Sequence, residues 1–590
     1  MLDPRIYRAS LIAIALGVFV LAFSLMSQNG PLGTTLAPEA FNGQNAYSTM
    51  VSLADQYPNR RPGSTGDDDV ATYVAVRLKR SGFNVSTRWS RANTADGKRT
   101  IETVIGTRAG LSSGSVVVVA HRDALSSPAT ADLSGTAVML ELARVLSGET
   151  QHRSIVLVST SGSAGQAGAT QLARSLGTPV DAVIALGDLA GKRVHEPVVV
   201  PWSNGTAVAP PMLRNTLAAA LRSQALLRPG GTSLADQLAH LAFPITLADQ
   251  GPFGARGTPA VLLSLSGERG PVGNEPIADP TRITGLGRTV LTAVSALDTG
   301  REIPAPSAYL LYSGKVVPAW AIRLLGMALI LPVLMTTVDG LARARRHGFP
   351  ILRSLVWVVL GALPFLLALG LALFAKLIGA LSATPPGPLA AGAIPLGTSG
   401  VVVLLLILCV IVAALFAWAP ISRALGGIRR SEIATGEGAA AVTLLVMCAA
   451  TIIIWVQNPL AAALIVPALH LWMWIVDPDV PLPRPGVIGF IAIGLAPPVL
   501  VLAYYASTLG LGPLDVVWNG LLMVAGGHVG VATAVEWSVL LGCLASVLAI
   551  AVRAQRLDRP EETPVTVRGP ITYAGPGSLG GTESALKARR

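Results

Sequence analysis

The sequence predicts two parts: an α/β domain with a mostly parallel central sheet, and an all-α polytopic transmembrane region. Three observations lead there. Hydrophobic residues make up 51% of the 590 positions and charged residues only 13%, which is more apolar than an ordinary soluble chain. Residues 40–307 carry charges, glycines and prolines throughout, whereas 316–552 is a series of long apolar runs, near the roughly 20 residues that cross a bilayer. Within 40–307, β-rich runs at 116–120, 155–159, 182–186 and 260–265 alternate with helical patterns at 68–80, 136–146 and 168–176. Continuously apolar strands between helices indicate a parallel sheet covered on both faces.

Each element follows in chain order. The run 9–26 (ASLIAIALGVFVLAFSLM) comes after Arg5 and Arg8. It is longer than a signal-peptide core and lacks a small-residue cleavage pattern, so it reads as an uncleaved anchor. No Lys or Arg follows until Arg60, which puts residues 1–8 in the cytoplasm and 40–307 outside. Further spans are expected at 317–338, 355–378, 401–421, 439–456, 461–476, 487–509 and 531–552. Arginines 343, 345, 346, 353, 423, 429, 430 and 484 fall in alternate loops, consistent with one orientation of the chain. The run 516–529 is short and interrupted by Gly526-Gly527-His528. Counted as a span it would put Arg553, Arg556 and Arg559 outside, so it is expected to be re-entrant or interfacial. Residues 553–590 read as a disordered cytoplasmic tail.

The net charge of +11 sits largely in loops beside the membrane and in the tail, so it fits the positive-inside rule and not nucleic-acid binding. The three cysteines, Cys409, Cys448 and Cys543, all lie in apolar runs. Disulfides and Cys-based zinc sites are therefore excluded from 40–307. An Ala/Gly/Val/Arg-rich composition suits a bacterium, which makes the expected location a plasma membrane with 40–307 extracytoplasmic.

Ligand sites in parallel sheets lie beyond the carboxyl ends of the strands. His121 and Asp123 follow the first apolar strand directly, and Asp188 follows the third. Five stretches then occur in order: NRRPGSTGDDDVATYVAVRLKRSGF, HRD, ADLSGTAVMLELARVL, SIVLVSTSGSAGQAGATQLA and ADQGPFGARGTPAVLLS. Together they resemble the zinc aminopeptidase and carboxypeptidase family that includes bacterial leucyl aminopeptidases and endoplasmic-reticulum metallopeptidases. The resemblance covers about 47–297 and implies a three-layer zinc-exopeptidase-like fold. An anchor, this fold and a multi-span region also occur together in the peptidase-like subunit of the GPI transamidase, an analogy of architecture only.

The resemblance implies a two-zinc site with one bridging aspartate, a His-x-Asp ligand, a later Asp, a Glu-Glu pair and a His near the domain's end. Carried onto this sequence, His121 matches the histidine ligand, Asp132 the bridging carboxylate, Asp188 the later Asp, and Asp123 the carboxylate that orients the histidine. The other half is missing. The Glu-Glu position falls at Gly162 or Ser163, and residues 154–180 contain no Asp or Glu. No histidine follows Ala260 within the domain. Losing the general base alone removes a contribution of about 10²–10⁴ in rate. Two readings of the retained half stay open. Either His121, Asp132 and Asp188 hold a single zinc, or they are inherited polar residues, with Asp132 capping the helix that follows.

Ser163 does not sit in a nucleophile elbow, because Ser161 stands where the first glycine is required. In the apolar region, His470 and Glu536 are the ionisable candidates for a pair, a polar cavity or a partner site, against the plainer reading of buried structural hydrogen bonds. The expected function is a membrane-anchored, peptidase-like pseudoenzyme, with the lipid bilayer and envelope proteins or peptides as partners. An active single-metal peptidase or amidohydrolase is the alternative. A transporter or lipid-handling protein is a weaker one.

Overall fold

The computed structural model describes residues 3–34, 37–177, 179–270, 275–381, 384–426, 437–477, 479–480 and 482–557. Helix α1 (Pro4–Phe23) leads into the short strand β1 (Met26–Ser27). Then come α2 (Gly43–Gln56), α3 (Thr65–Arg80), β2 (Asn84–Thr94), β3 (Gly97–Arg108), β4 (Ser115–His121), α4 (Ser134–Leu146), β5 (Ser154–Thr160), α5 (Ala167–Ser175) and β6 (Val180–Leu186). The rest of this part is β7 (Val199–Val200), α6 (Pro211–Gln224), α7 (Leu234–Ala242), α8 (Gly251–Ala255), β8 (Ala260–Leu263), α9 (Pro280–Thr299), β9 (Tyr309–Tyr312) and β10 (Lys315–Pro318). Helix α10 (Ala319–Arg346) begins the apolar region.

The main sheet has seven strands in the order β2-β3-β5-β4-β6-β8-β7. Its four central strands, β5, β4, β6 and β8, are parallel, and they are the four apolar runs expected from sequence. Side chains alternate across a strand, and on β4 both sets are apolar. Val116, Val118 and Ala120 face the core shared with α2, α4, α6 and α9, while Val117 and Val119 face a smaller core with Leu172 and Phe253. Both faces are covered, so the carboxyl ends of the strands are left as the open edge.

Beyond the expectation, an antiparallel hairpin, β2–β3, joins one side of the sheet, and β7 joins the other. The hairpin turns through Ala95-Asp96 and closes on Gly97, which pairs with Thr94 and has φ 89°. A positive-φ glycine there is a hairpin signal, but β2 is largely exposed and offers no apolar alternation.

Eight helices among the described residues are long and apolar enough to cross a membrane. They are Pro4–Phe23, Ala319–Arg346, Ile351–Leu377, Thr398–Trp418, Gly438–Gln457, Pro459–Val476, Arg484–Leu509 and Val531–Gln555. Residues 516–529 fall mainly in a shorter apolar helix, Pro513–Gly526. The last helix runs on to Leu557, so 553–557 are helical and do not begin the expected disordered tail. Residues 558–590 of that tail lie outside the described residues. Helix α1 packs along α10, with Gly17 facing Ala328, and a three-stranded sheet, β1-β10-β9, joins their ends.

Candidate active site at the strand ends

Strand β4 delivers His121 to the open edge and turns the next residue inward. The Arg122 side chain is fully buried and paired with Asp67 at 2.9 Å, and it donates to the Glu102 carbonyl at 2.8 Å and the Asp67 carbonyl at 3.1 Å. Arg60 is equally buried. It donates to the carbonyls of Tyr57 (2.7 Å), Ala129 (2.9 Å), Arg122 (3.2 Å) and Pro128 (3.2 Å). These bonds shape the loop that carries Asp123 and leads to Asp132. Burial lowers the Arg60 pKa, while Asp132, Asp123 and Asp67 oppose that shift.

Asp132 lies in a single 3₁₀ turn, Thr130–Leu133, just before α4. It does not cap that helix. The N-cap is Leu133, without a side-chain hydrogen bond, and the Asp132 Oδ1 atom is buried with no donor. An uncompensated buried carboxylate prefers its neutral form, and burial raises Asp132 to about 7 against the pull of His121 and Arg60.

Asp123 does not orient His121 as expected. Its two oxygens accept from the Ser163 amide at 3.1 and 3.0 Å and from the Ser163 hydroxyl at 3.0 Å. With no carboxylate in 161–166, the loop offers donors, and Asp123 takes them. Burial raises Asp123 to about 6, with His121 acting against it. The carboxylate beside the His121 ring is Asp249, with Oδ2 3.7 Å from Nδ1. Burial works against a charged ring, but Asp249, with Asp123 and Asp132 behind it, raises His121 to about 9.

Sequence reasoning had given Asp249 no role. It is the acidic residue of the ADQGPF block, and that was the available signal. An amide network fixes its segment. Buried Gln166, in the left-handed region at φ 58°, donates to the carbonyls of Thr246 (2.8 Å) and Ala248 (2.6 Å). Asn204 donates to the Gln166 Oε1 atom at 2.5 Å and accepts from the Thr246 amide at 3.0 Å.

Asp188 follows β6 and is committed to its own turn. Its Oδ1 accepts from the amides of Ala190 (2.9 Å) and Gly191 (2.7 Å), and its Oδ2 from the Ser266 hydroxyl at 2.8 Å. Burial raises its pKa despite these bonds. Asp132 feels the charges of both His121 and Asp188. Even so, among the described residues no three His, Cys, Asp or Glu side chains are grouped to hold a metal ion. The expected trio therefore does not fit as a closed three-ligand zinc set.

The 161–166 loop holds no carboxylate and is covered by another segment of the chain. The Gly387 amide donates to the Gly165 carbonyl at 2.9 Å, and Asn93 Nδ2 donates to the Thr384 carbonyl at 3.2 Å. Gly165 has φ 82°, and a Cβ there would overlap Pro385; one on Gly387 would come within 2.6 Å of the Gln166 Oε1 atom, and one on Gly526 within 2.5 Å of the Pro385 carbonyl oxygen. Glycines from three segments let these backbones meet.

Glu268, just past β8, pairs with His240 at 2.7 Å, both side chains almost fully buried. The His240 Nδ1 atom lies 2.8 Å from the Asp236 carbonyl, so with Glu268 ionised both ring nitrogens donate. The ring stacks on Trp202 and meets Tyr504 and Tyr505 edge-on. Arg269 donates to the Ser507 carbonyl at 2.7 Å and also to that of Thr508.

The two candidates in the apolar region have different partners. His470 accepts from or donates to Tyr7 of α1 at 2.8 Å, and its other nitrogen lies 2.8 Å from the Leu329 carbonyl. Both nitrogens are engaged in holding helices together. Glu536 accepts from Gln457 at 2.5 Å.

Residues 103–277 match Peptidase family M28, less than a third of the chain. Similar solved structures include a leucine aminopeptidase precursor from Bacteroides thetaiotaomicron VPI-5482, with 14% identity over 43% of this chain and 97% of that one, at TM-score 0.34. A Porphyromonas gingivalis glutaminyl cyclase is 17% identical over 43% and 98%, at TM-score 0.32. An aminopeptidase from Legionella pneumophila is 16% identical over 45% and 74%, at TM-score 0.34. No curated protein matches the chain.

Proposed function

We propose that the peptidase M28 domain of this chain is catalytically impaired and serves binding or assembly at the outer face of a bacterial plasma membrane, held there by eight spans. One observation carries the reading. The segment where the family places its Glu-Glu pair has no carboxylate, is tied to Asp123 through Ser163, and lies under the chain's own 384–389 segment. A general base must be able to take up the proton it removes, and here the position holds no such group. Alternation of arginine-rich and uncharged loops supports cytoplasmic termini. The partners in this reading are the lipid bilayer and envelope proteins or peptides.

A second reading, a hydrolase with a single metal, is favoured by one specific observation. The Asp132 Oδ1 atom is buried without a donor in the field of His121, and such a group calls for a proton or a cation. The experiment is hydrolysis of aminoacyl anilides by the purified full chain supplied with zinc, beside its Asp132→Asn variant. Impairment predicts turnover at the uncatalysed level in both. Zinc-dependent turnover that disappears in Asp132→Asn would replace the first reading with the second.

A further inference from the structure

Four arginines are buried among the described residues: Arg60, Arg122, Arg153 and Arg214. Three have acidic company. Arg122 pairs with Asp67 and Arg153 with Asp181, and Arg60 lies in the field of Asp132 and Asp123. Arg214, only 4% exposed, has no acidic partner among the described residues. Its Nη2 donates to the Gly230 carbonyl at 2.7 Å, its Nη1 reaches Asn215 Oδ1 only at 3.4 Å, and its Nε has no acceptor. A buried charge is costly unless paired and fully hydrogen-bonded, so this guanidinium lacks a counter-anion.

Beside it is a cavity of about 450 Å³, lined by Arg214, Arg222, Asn215, Gln28, Thr232 and Ser313 among others, with no Asp or Glu in its walls. Arg222 stands on the same helix and is exposed, with no ion pair among the described residues. Asn215 donates its amide to Gln28 at 3.3 Å and to the Asn29 carbonyl at 3.1 Å, which joins α6 to the segment leaving α1.

The chain places this cavity at the ends of two apolar helices. Gln28 follows α1, which stops at Phe23, and Ser313 lies in the β9–β10 turn, from which β10 leads into α10 at Ala319. Trp320, at the start of α10, is 51% exposed, and tryptophans at span ends mark the headgroup level of a bilayer.

We propose that this cavity binds a phosphate group, with Arg214 and Arg222 providing the charge and the Asn215, Thr232 and Ser313 side chains the neutral hydrogen bonds. Guanidinium forks match phosphate oxygens in both geometry and charge. An anionic phospholipid headgroup and free phosphate share this chemistry. The headgroup source rests on the membrane reading above, while the affinity for phosphate does not.

The test uses the detergent-purified full chain, Arg222→Gln and Arg214→Gln. Retention of phosphatidylglycerol against phosphatidylcholine is read by native mass spectrometry, and thermal unfolding is read in inorganic phosphate against chloride at equal ionic strength. For a headgroup site, the wild type retains phosphatidylglycerol preferentially, and each variant loses about fivefold of that preference. For a free-phosphate site, lipid retention shows no preference, but phosphate raises the wild-type melting temperature and not that of Arg222→Gln. Equal lipid retention in all proteins together with no phosphate response overturns the proposal. If Arg214→Gln does not fold, the exposed Arg222→Gln decides alone. A chain that stays monodisperse without detergent would sink the membrane reading, and the phosphate arm would still be decisive.

Discussion

The two halves of the strand-end edge differ in what their polar residues face. After β4 and β6, Asp123 and Asp188 are bonded by the protein's own loops, and His121 lies beside Asp249. Past β5 and β8, Ser163 and Ser266 reach back to Asp123 and Asp188, but other groups there meet the apolar region. Gly165 receives the Gly387 amide, the Glu268–His240 pair sits under Tyr504 and Tyr505, and Arg269 binds the last carbonyls of helix Arg484–Leu509. The 161–166 loop, which holds no carboxylate, is among the parts that dock. Part of the strand-end edge thus serves as a joint to the apolar region.

Three perturbations separate the halves. The largest effect is expected from Glu268→Ala, which leaves His240 buried without its counter-charge. Removing one partner of a buried ion pair costs about 3–5 kcal/mol. Hydrogen exchange should therefore rise at 236–243 and 504–508 while β4 and β5 stay protected. Uniform loss of protection would mean that the pair supports the whole fold and not the joint.

Next comes Gly387→Ala, whose new methyl would meet the Gln166 Oε1 atom at 2.6 Å and the Gly165 carbonyl oxygen at 2.8 Å. Overpacking of this kind costs about 1–3 kcal/mol. Faster amide exchange is expected at both 161–166 and 384–389. Faster exchange at 384–389 alone would show that the two segments are not coupled.

The smallest effect belongs to the half that carries His121 and Asp132 and appears in pH dependence. Asp132 and Asp123 titrate in the fold at about 7 and about 6, above the ordinary aspartate value of 3.8. The folded state therefore binds more protons than the unfolded chain from about pH 4 to 7, and stability falls as pH rises through that window. His121, raised to about 9, contributes stability that is complete below its ordinary value of 6.5 and is lost as pH rises through 9. The melting temperature should accordingly be higher at pH 5 than at pH 8, and Asp132→Asn should narrow the gap. An unchanged gap in that variant would mean that Asp132 is compensated in the folded protein.

The parts of the molecule legible in the sequence were those with a local signature. The four parallel strands read as continuous apolar runs because both of their faces are covered, as on β4. His121, Asp123, Asp132 and Asp188 read as a motif because each follows an apolar strand or precedes a helix. The β2–β3 hairpin was missed because Arg88, Trp89 and Arg91 leave no apolar period. The roles of Asp123 and Asp249 were assigned differently by the structure because they depend on loops from distant parts of the chain. Ser163 reaches Asp123 from the loop after β5, and Gln166 fixes the Asp249 segment. The docking of Gly387 on Gly165 has no local signature at all.

Strand β1 pairs with β10, where Met26 lies opposite Val316, and Lys315 donates to Ser27 across 288 residues of sequence. The clasp therefore cannot form until the peptidase-like domain has been made. At about 5–20 residues per second of synthesis, the first helix waits on the order of 15–60 s for its neighbour α10. During that interval Gly17 and the rest of its packing face have no helix beside them. A ribosome pause before Lys315 would lengthen the time the first helix stands without α10.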